Sequence, residues 1–232
     1  MRQITTALAF IATILAVPAI AQQNKTVVEL FTSQGCSSCP PADAILHELA
    51  ARDDVIALAL HVDYWDYLGW KDNFGRTENS ARQHRYAAAA NATTVYTPQM
   101  VIAGKDHVIG TKTMEVMDRI ADNQRQPQPL DIALSRANGQ LQIAATSSAG
   151  RIGNLVVQVV RYTPSAIVAI KRGENAGRSL KYSNIVTAWD TIGRWNGARP
   201  LAMNAPISGD DPVVVIVQHD RHGPILAAAE LR

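Results

Sequence analysis

Residues 27–46, VVELFTSQGCSSCPPADAIL, hold the only two cysteines of this 232-residue chain, three positions apart, between an apolar run and a pair of prolines. No other feature constrains the fold as much. VVELF (27–31) reads as a buried strand. Beyond the cysteines, Ala42, Ile45, Leu46, Leu49 and Ala50 recur at three- and four-residue spacing, the inner face of a helix ending near Asp53 and Asp54. VIALALHV (55–62) is continuously apolar, as a central parallel strand covered on both faces must be. Such a crossover is right-handed and leaves the C-terminal ends of both strands on one edge, with the cysteines at the mouth of the helix.

Downstream, alanine-rich residues 79–90 favour a second helix. Met100–Ala103 and His107–Ile109 read as a hairpin across Gly104 and Lys105, and Thr111 can cap a third helix with Met114, Met117, Ile120 and Ala121 inside. This is the element order of the thioredoxin fold, so residues 25–124 are expected to be an α/β thioredoxin-like domain. QRQPQP (124–129) is a polar, proline-rich linker. Past it the period becomes two: Leu130, Ile132 and Leu134, then Leu141 and Ile143 across an Asn138-Gly139 turn. Further strands are expected at 154–162, 165–171, 182–189, 199–204, 213–219 and 225–231. Eight short strands make residues 130–232 an all-β, antiparallel, sandwich-like domain.

The first residues carry Arg2, an apolar stretch from Ala7 to Val17 and the small-x-small triplet Ala19-Ile20-Ala21. They read as a signal peptide over 1–21 with Gln22 the first mature residue, so a periplasmic or secreted location is expected. The apolar run is short for a membrane span, though an uncleaved anchor is the alternative. A net charge of +2, evenly spread, excludes a nucleic-acid partner.

In an exported chain disulfides usually join distant segments, because closing a long loop constrains the unfolded state most. A Cys36–Cys39 bridge closes almost nothing, so its value lies in sulfur chemistry. The helix N-terminus, with its unpaired N–H groups and partial positive charge, favours a thiolate at Cys36. Cys36 is then the attacking thiol and Cys39, one turn in, the resolving one. Pro40 and Pro41 are tolerated in a first helical turn. Asp63 and Asp66, on the loop that leaves the second strand, are candidate proton acceptors, with Tyr64, Trp65 and Trp70 a peptide-binding wall. The alternative is that the aromatics cover core and the aspartates cap a short helix. For a metal, Cys36 and Cys39 would need His61 or His47; His47 lies too far along the helix and a fourth ligand is missing, so no metal or other cofactor is expected. Gly173, Glu174, Asn175, Gly177 and Arg178 crowd a turn from which Arg178 could reach a partner's carboxylate.

The strings VVELFTSQGCSSCPPAD, HVDYWDYLGWKD, VYTPQMVIAG and KRGENAGRSLKYSNIV resemble a secreted bacterial family of unknown function with a thioredoxin-like fold. The resemblance implies thiol–disulfide exchange through Cys36 and Cys39. It also implies a cis proline at Pro98, where Thr97 would pair with an extended substrate beside Trp65. The expected function is an exported thiol–disulfide oxidoreductase acting on disulfide-containing or dithiol proteins, with a membrane redox protein as a further candidate partner. The alternatives are a non-catalytic peptide-binding module and a copper chaperone.

Overall fold

The computed structural model describes residues 25–232; the expected signal peptide lies outside them. β1 (Thr26–Thr32), α1 (Pro40–Ala50) and β2 (Val55–His61) form the crossover, with β1 and β2 parallel from Thr26↔Val55 to Thr32↔His61. Every residue of both strands is buried, which is why neither alternates in sequence. α2 (Thr77–Ala89) follows, then β3 (Gln99–Ile102) and β4 (Asp106–Ile109) as a hairpin whose β3 lies antiparallel to β1, then α3 (Thr113–Gln124). The inner face of α3 is Val116 and Ile120, whereas Met114 is 75 % exposed and Met117 sits at the margin. Lys112 rather than Thr111 occupies the N-cap position, and the stripe that meets the sheet runs through the i, i+4 pair instead of the methionines.

The second half supplies β5 (Leu130–Ala137), β6 (Gln140–Ser147), β7 (Leu155–Ala169), β8 (Ser179–Trp195), β9 (Leu201–Pro206), β10 (Val213–His219) and β11 (Ile225–Leu231). These are seven strands rather than eight. The segments expected at 154–162 and 165–171 join as β7, because Pro164 falls at an interruption of the ladder: Thr163 faces Ile185 and Ser165 faces Ser183, so the missing N–H has no bond to make. Nor do these strands stand apart as a sandwich of their own. One mixed eight-stranded sheet, β11-β10-β7-β8-β2-β1-β3-β4, runs through both halves, and β5-β6-β9 form a separate antiparallel sheet.

Three apolar layers follow from this topology. α1 and α3 cover one face of the first-half strands through Leu46, Leu49, Val116 and Ile120 against Val28, Leu30, Ala57 and Met100. The opposite face gathers Phe31, Leu58 and Tyr86 with Val160, Val214 and Ile216. The three-stranded sheet packs Ile132, Leu141 and Ile143 on Val157, Val213, Val215 and Val217. β10 and the first half of β7 are therefore buried on both faces, and their alternate residues face different cores.

The two halves meet at β8, whose single ladder position with β2 is Ala59↔Ile185, parallel. Beside it Asn184 adopts φ 49° and its Nδ2 donates to Ala57 O at 2.8 Å, so a side chain replaces the missing ladder bond. Asn184→Ala removes that bond and places a Cβ residue without local polar compensation in the left-handed region, for a combined cost of roughly 2–4 kcal/mol. Asn184→Gly restores the conformation only and recovers about 1 kcal/mol. Urea unfolding of the three proteins measures both terms; equal midpoints for Ala and Gly would remove the backbone contribution.

Candidate functional site

The cysteine loop is a chain of tight turns between β1 and α1. Cys36 N–H donates to Ser33 O (3.2 Å), Cys39 N–H to Cys36 O (3.3 Å) and Ala42 N–H to Cys39 O (2.8 Å), which brings the two Cα atoms to 5.4 Å and joins the sulfurs in a disulfide. Cys39 is the N-cap residue of α1, so the pair stands at a helix start. Pro40 and Pro41 occupy the first turn and lack N–H groups, so the amides that would meet a thiolate are fewer than in an ordinary helix mouth.

An attacking thiol needs an open sulfur, and the fold encloses Cys36. Cys36 is 3 % exposed and Cys39 is fully buried, although Ser37 and Ser38 between them are exposed. The turn that precedes β8 lies against the backbone of this loop. Asn175, itself buried, donates from Nδ2 to Gln34 O (3.0 Å) and Cys36 O (2.9 Å), and Glu174 accepts from Ser37 N–H (3.3 Å). Arg178 reaches Asn175 Oδ1 (3.0 Å) within the same turn. Ile170 and Gly177 close the neck of this flap by backbone bonds, and Gly173 (φ 78°) lies so near Trp70 that an added Cβ would stand 3.1 Å from the Trp70 Cβ. A turn that looks partner-facing in sequence is thus folded onto its own chain.

The aromatic loop after β2 does lie beside the cysteines. Trp65 packs on Gly35 and donates from Nε1 to Thr97 Oγ1 (2.7 Å), the Thr97-Pro98 bond is cis, and Pro98 shares the surroundings of Gly110 with Ala42 of α1. Tyr67, 77 % exposed, stacks on Trp65. Trp70 Nε1 donates to Gln34 Oε1 (2.8 Å), and Tyr64 OH to Gln83 Oε1 (3.0 Å). Cys36, Cys39, Trp65, Thr97 and Pro98 are therefore neighbours across three connections of the sheet. The two aspartates are occupied differently. Asp63 receives hydrogen bonds from Ser80 and Thr77 at the start of α2, which lower its pKa, and Asp66 Oδ1 accepts from Asp72 N–H (3.0 Å).

The carboxyl group behind the disulfide is Asp43, one helical turn beyond Cys39, its N–H on Cys39 O (3.1 Å). Side chains on a helix lean toward its N-terminus, so Asp43 leans back toward the cysteines. Burial pushes its pKa up to about 7, against the opposing pull of His61 and Thr32. Around it lie Thr32, His61 and Tyr182; the His61 and Tyr182 rings are 4.8 Å apart, edge to face. His61 Nδ1 is paired with Asp72 at 2.7 Å. Asp72 has a lowered pKa: burial raises it, but His61 and the Gln34 and Phe74 N–H groups outweigh that. Thr32 Oγ1, both Asp43 oxygens, His61 Nε2 and Tyr182 OH are five of the six buried side-chain polar atoms without a hydrogen-bond partner among the described residues. Native structures keep such atoms few, and each costs roughly 1–3 kcal/mol. Five of the six thus fall in one cluster around the first turn of α1, the helix that Cys39 caps.

His47 is engaged elsewhere, with Ser183 Oγ (2.8 Å) and Lys181 Nζ (3.1 Å). Among the described residues no three His, Cys, Asp or Glu side chains are grouped to hold a metal ion, and no helix is long and apolar enough to cross a membrane.

Asp43 makes stability depend on pH in a defined direction. Its folded pKa lies above the ordinary 3.8, so the folded state holds the proton more tightly. Stability is full below about pH 4 and falls as pH rises to about 7, by on the order of 4 kcal/mol. Asp63 and Asp72 are shifted downward and act in the acid range below that window. Asp43→Asn should flatten the slope in urea midpoints taken between these two pH values; an unchanged slope would assign it to other groups.

Comparison with known proteins places this geometry in a lineage. A protein AGR_C_4864 of Agrobacterium tumefaciens, of known crystal structure, is 33 % identical with a TM-score of 0.78, over 91 % of this chain and 96 % of that one. HBP35 of Porphyromonas gingivalis shares the fold at 13 % identity and TM-score 0.55, over 90 % of this chain and 74 % of its own. No curated protein matches. The family model described as "Protein of unknown function (DUF1223)" matches residues 27–218, and the chain belongs to that family.

Proposed function

We propose that the chain is an exported thiol–disulfide oxidoreductase whose first half is a thioredoxin-like domain, with Cys36 and Cys39 as its redox pair. The observation that carries this reading is the Cys36–Cys39 disulfide at the start of α1, backed by a buried carboxyl that titrates near neutrality. The strand order β2-β1-β3-β4, with β1 and β2 parallel and β3 and β4 antiparallel to their neighbours, supports the fold assignment.

In the reducing direction the Cys36 thiolate attacks one sulfur of a substrate disulfide, forming a mixed disulfide and expelling the other sulfur as a thiolate. Cys39, deprotonated, then attacks Cys36 Sγ, restores the disulfide and releases the second substrate thiolate. Two electrons pass from the dithiol to the substrate, and two protons end on the substrate thiols. In this reading Asp43, one helical turn beyond Cys39, accepts the Cys39 proton; a carboxyl with a pKa near 7 exchanges protons readily at that pH. Oxidation of a substrate dithiol is the same sequence reversed. Trp65, Tyr67 and Thr97 border the approach and supply an apolar surface and a hydroxyl to an extended peptide.

Burial of Cys36 adds a condition: the flap bearing Asn175 must lift before a substrate reaches the sulfur. The same burial favours the second reading, a thioredoxin-like module that binds peptide without exchanging electrons. Two Asn175 hydrogen bonds hold the flap at roughly 0.5–1.5 kcal/mol each, so Asn175→Ala should raise the alkylation rate of the reduced protein roughly tenfold or more. Reduction of insulin in the presence of dithiothreitol should be accelerated by the wild type and more by this variant. Turnover that survives Cys36→Ala would overturn the enzyme reading.

A further inference from the structure

The helical layer over the first half stops short of the second. Between α2 and the neighbouring face of β7, β8 and β10 a cavity of about 440 Å³ remains, and no residue of the cysteine loop lines it. Its floor breaks the apolar pattern of the sheet. Gln158 and Gln218 are buried where Val160, Val214 and Ile216 continue the same core, and they join Arg82 and Tyr86 in a closed network. Arg82 bonds both oxygens of Glu29 (2.6 and 2.9 Å), lies 3.7 Å above the Trp189 ring, and reaches Tyr86 OH (2.8 Å); Trp189 Nε1 donates to Gln158 Oε1 (2.7 Å). The floor is thereby charge-neutral, rigid and polar.

The walls are not neutral. Among the described residues Arg85 has one side-chain hydrogen bond, to His222 Nε2 at 3.0 Å. Burial, then Arg82 and Arg85, push the pKa of His222 down to about 4, so its imidazole is neutral and offers no counter-charge. Arg221 has no ion pair among the described residues, whereas Arg194 has Asp220 at 3.9 Å and the rim carboxylate Glu78 is drawn to Arg76 at 3.6 Å. Arg221 and His222 are consecutive non-glycine residues at φ 58° and 59°, a left-handed pair that the turn between β10 and β11 holds at the cavity wall. Strain of this kind concentrates where side chains are held for a ligand. Two guanidinium groups with no carboxylate partner among the described residues, at the mouth of a cavity with an amide-lined floor, match the planar oxygen pairs of a carboxylate or phosphate.

We propose that this cavity binds a small organic or inorganic oxyanion, clamped by Arg85 and Arg221 over the Gln158–Gln218 floor. Calorimetric titration at low ionic strength with succinate and, separately, inorganic phosphate tests it. The expected result is saturable one-to-one binding of at least one of the two, weakened by salt. Arg85→Gln and Arg221→Gln should each weaken it roughly tenfold, while Arg151→Gln, outside the cavity, should leave it unchanged. The anion that binds tells a carboxylate site from a phosphate site. Absence of saturation by either probe at about 10 mM, or variants that bind as the wild type does, would overturn the proposal. The result is independent of the redox reading, because none of the variants touches the cysteines.

Discussion

The architecture hangs on the seam between β2 and β8. A sheet edge at β2 would leave a row of unpaired backbone groups, and this protein covers it with a strand more than a hundred residues later in sequence. The seam is short: one ladder position, Ala59↔Ile185, reinforced by the Asn184 side chain on Ala57 O. Its consequences are larger than its length. Because β8 begins at Ser179 and runs past α1, the turn before it falls on the cysteine loop, and the contacts His47–Ser183 and Asn175–Cys36 follow from that path. The cover of the disulfide is thus a by-product of how the edge is closed.

Two buried polar groups in the molecule are built on opposite logic. Around Arg82 every charge is met: Glu29 accepts from Nε and Nη2, Gln158 from Nη1, and Tyr86 and Gln218 complete the shell. Such a network ties α2 to β1, β7 and β10, and its satisfaction lets a charge pair stay in the core without a large penalty. Around Asp43 the reverse holds. Thr32, His61 and Tyr182 lie around the carboxyl without a well-formed hydrogen bond to it, and burial outweighs the pull of His61 and Thr32 to hold its pKa near 7. A protein that satisfies one buried group so fully and leaves another so bare has room for a proton to move at the second.

What the sequence made readable was whatever rests on neighbours along the chain. The crossover of residues 27–62 is legible because strands buried on both faces must be apolar throughout, and the placement of the cysteines at a helix start follows from two prolines and an amphipathic run. The continuity of the sheet was not legible: β8 joins β2 over so short a stretch that its residues carry the period of β7, their main partner. Asn175 was visible only as part of an ordinary glycine-flanked turn, since nothing local marks a side chain that will cap a carbonyl 139 residues away. Asp43 did leave a trace. It sits between Ala42 and Leu46 on the inner stripe of α1, and a carboxylate on an apolar face is a signal of chemistry or of a buried bond. The aspartates of the aromatic loop drew attention by their position at a strand end, but Ser80 and Thr77 there serve as ready donors and turn Asp63 into a brace.

Enclosure and reactivity of the disulfide are linked by the same environment. A thiolate in an apolar enclosure is disfavoured, as any buried charge is, and the two prolines thin out the amides that would offset this at the helix mouth. The same enclosure raises the pKa of Asp43, one helical turn beyond Cys39. Lifting the Asn175 flap admits solvent to the loop and weakens the desolvation that sustains both conditions, so the sulfur and the carboxyl should become ionisable together. Access to the sulfur and ionisation of the carboxyl would then be one event rather than two, both set by the turn that Asn175 holds against the cysteine loop.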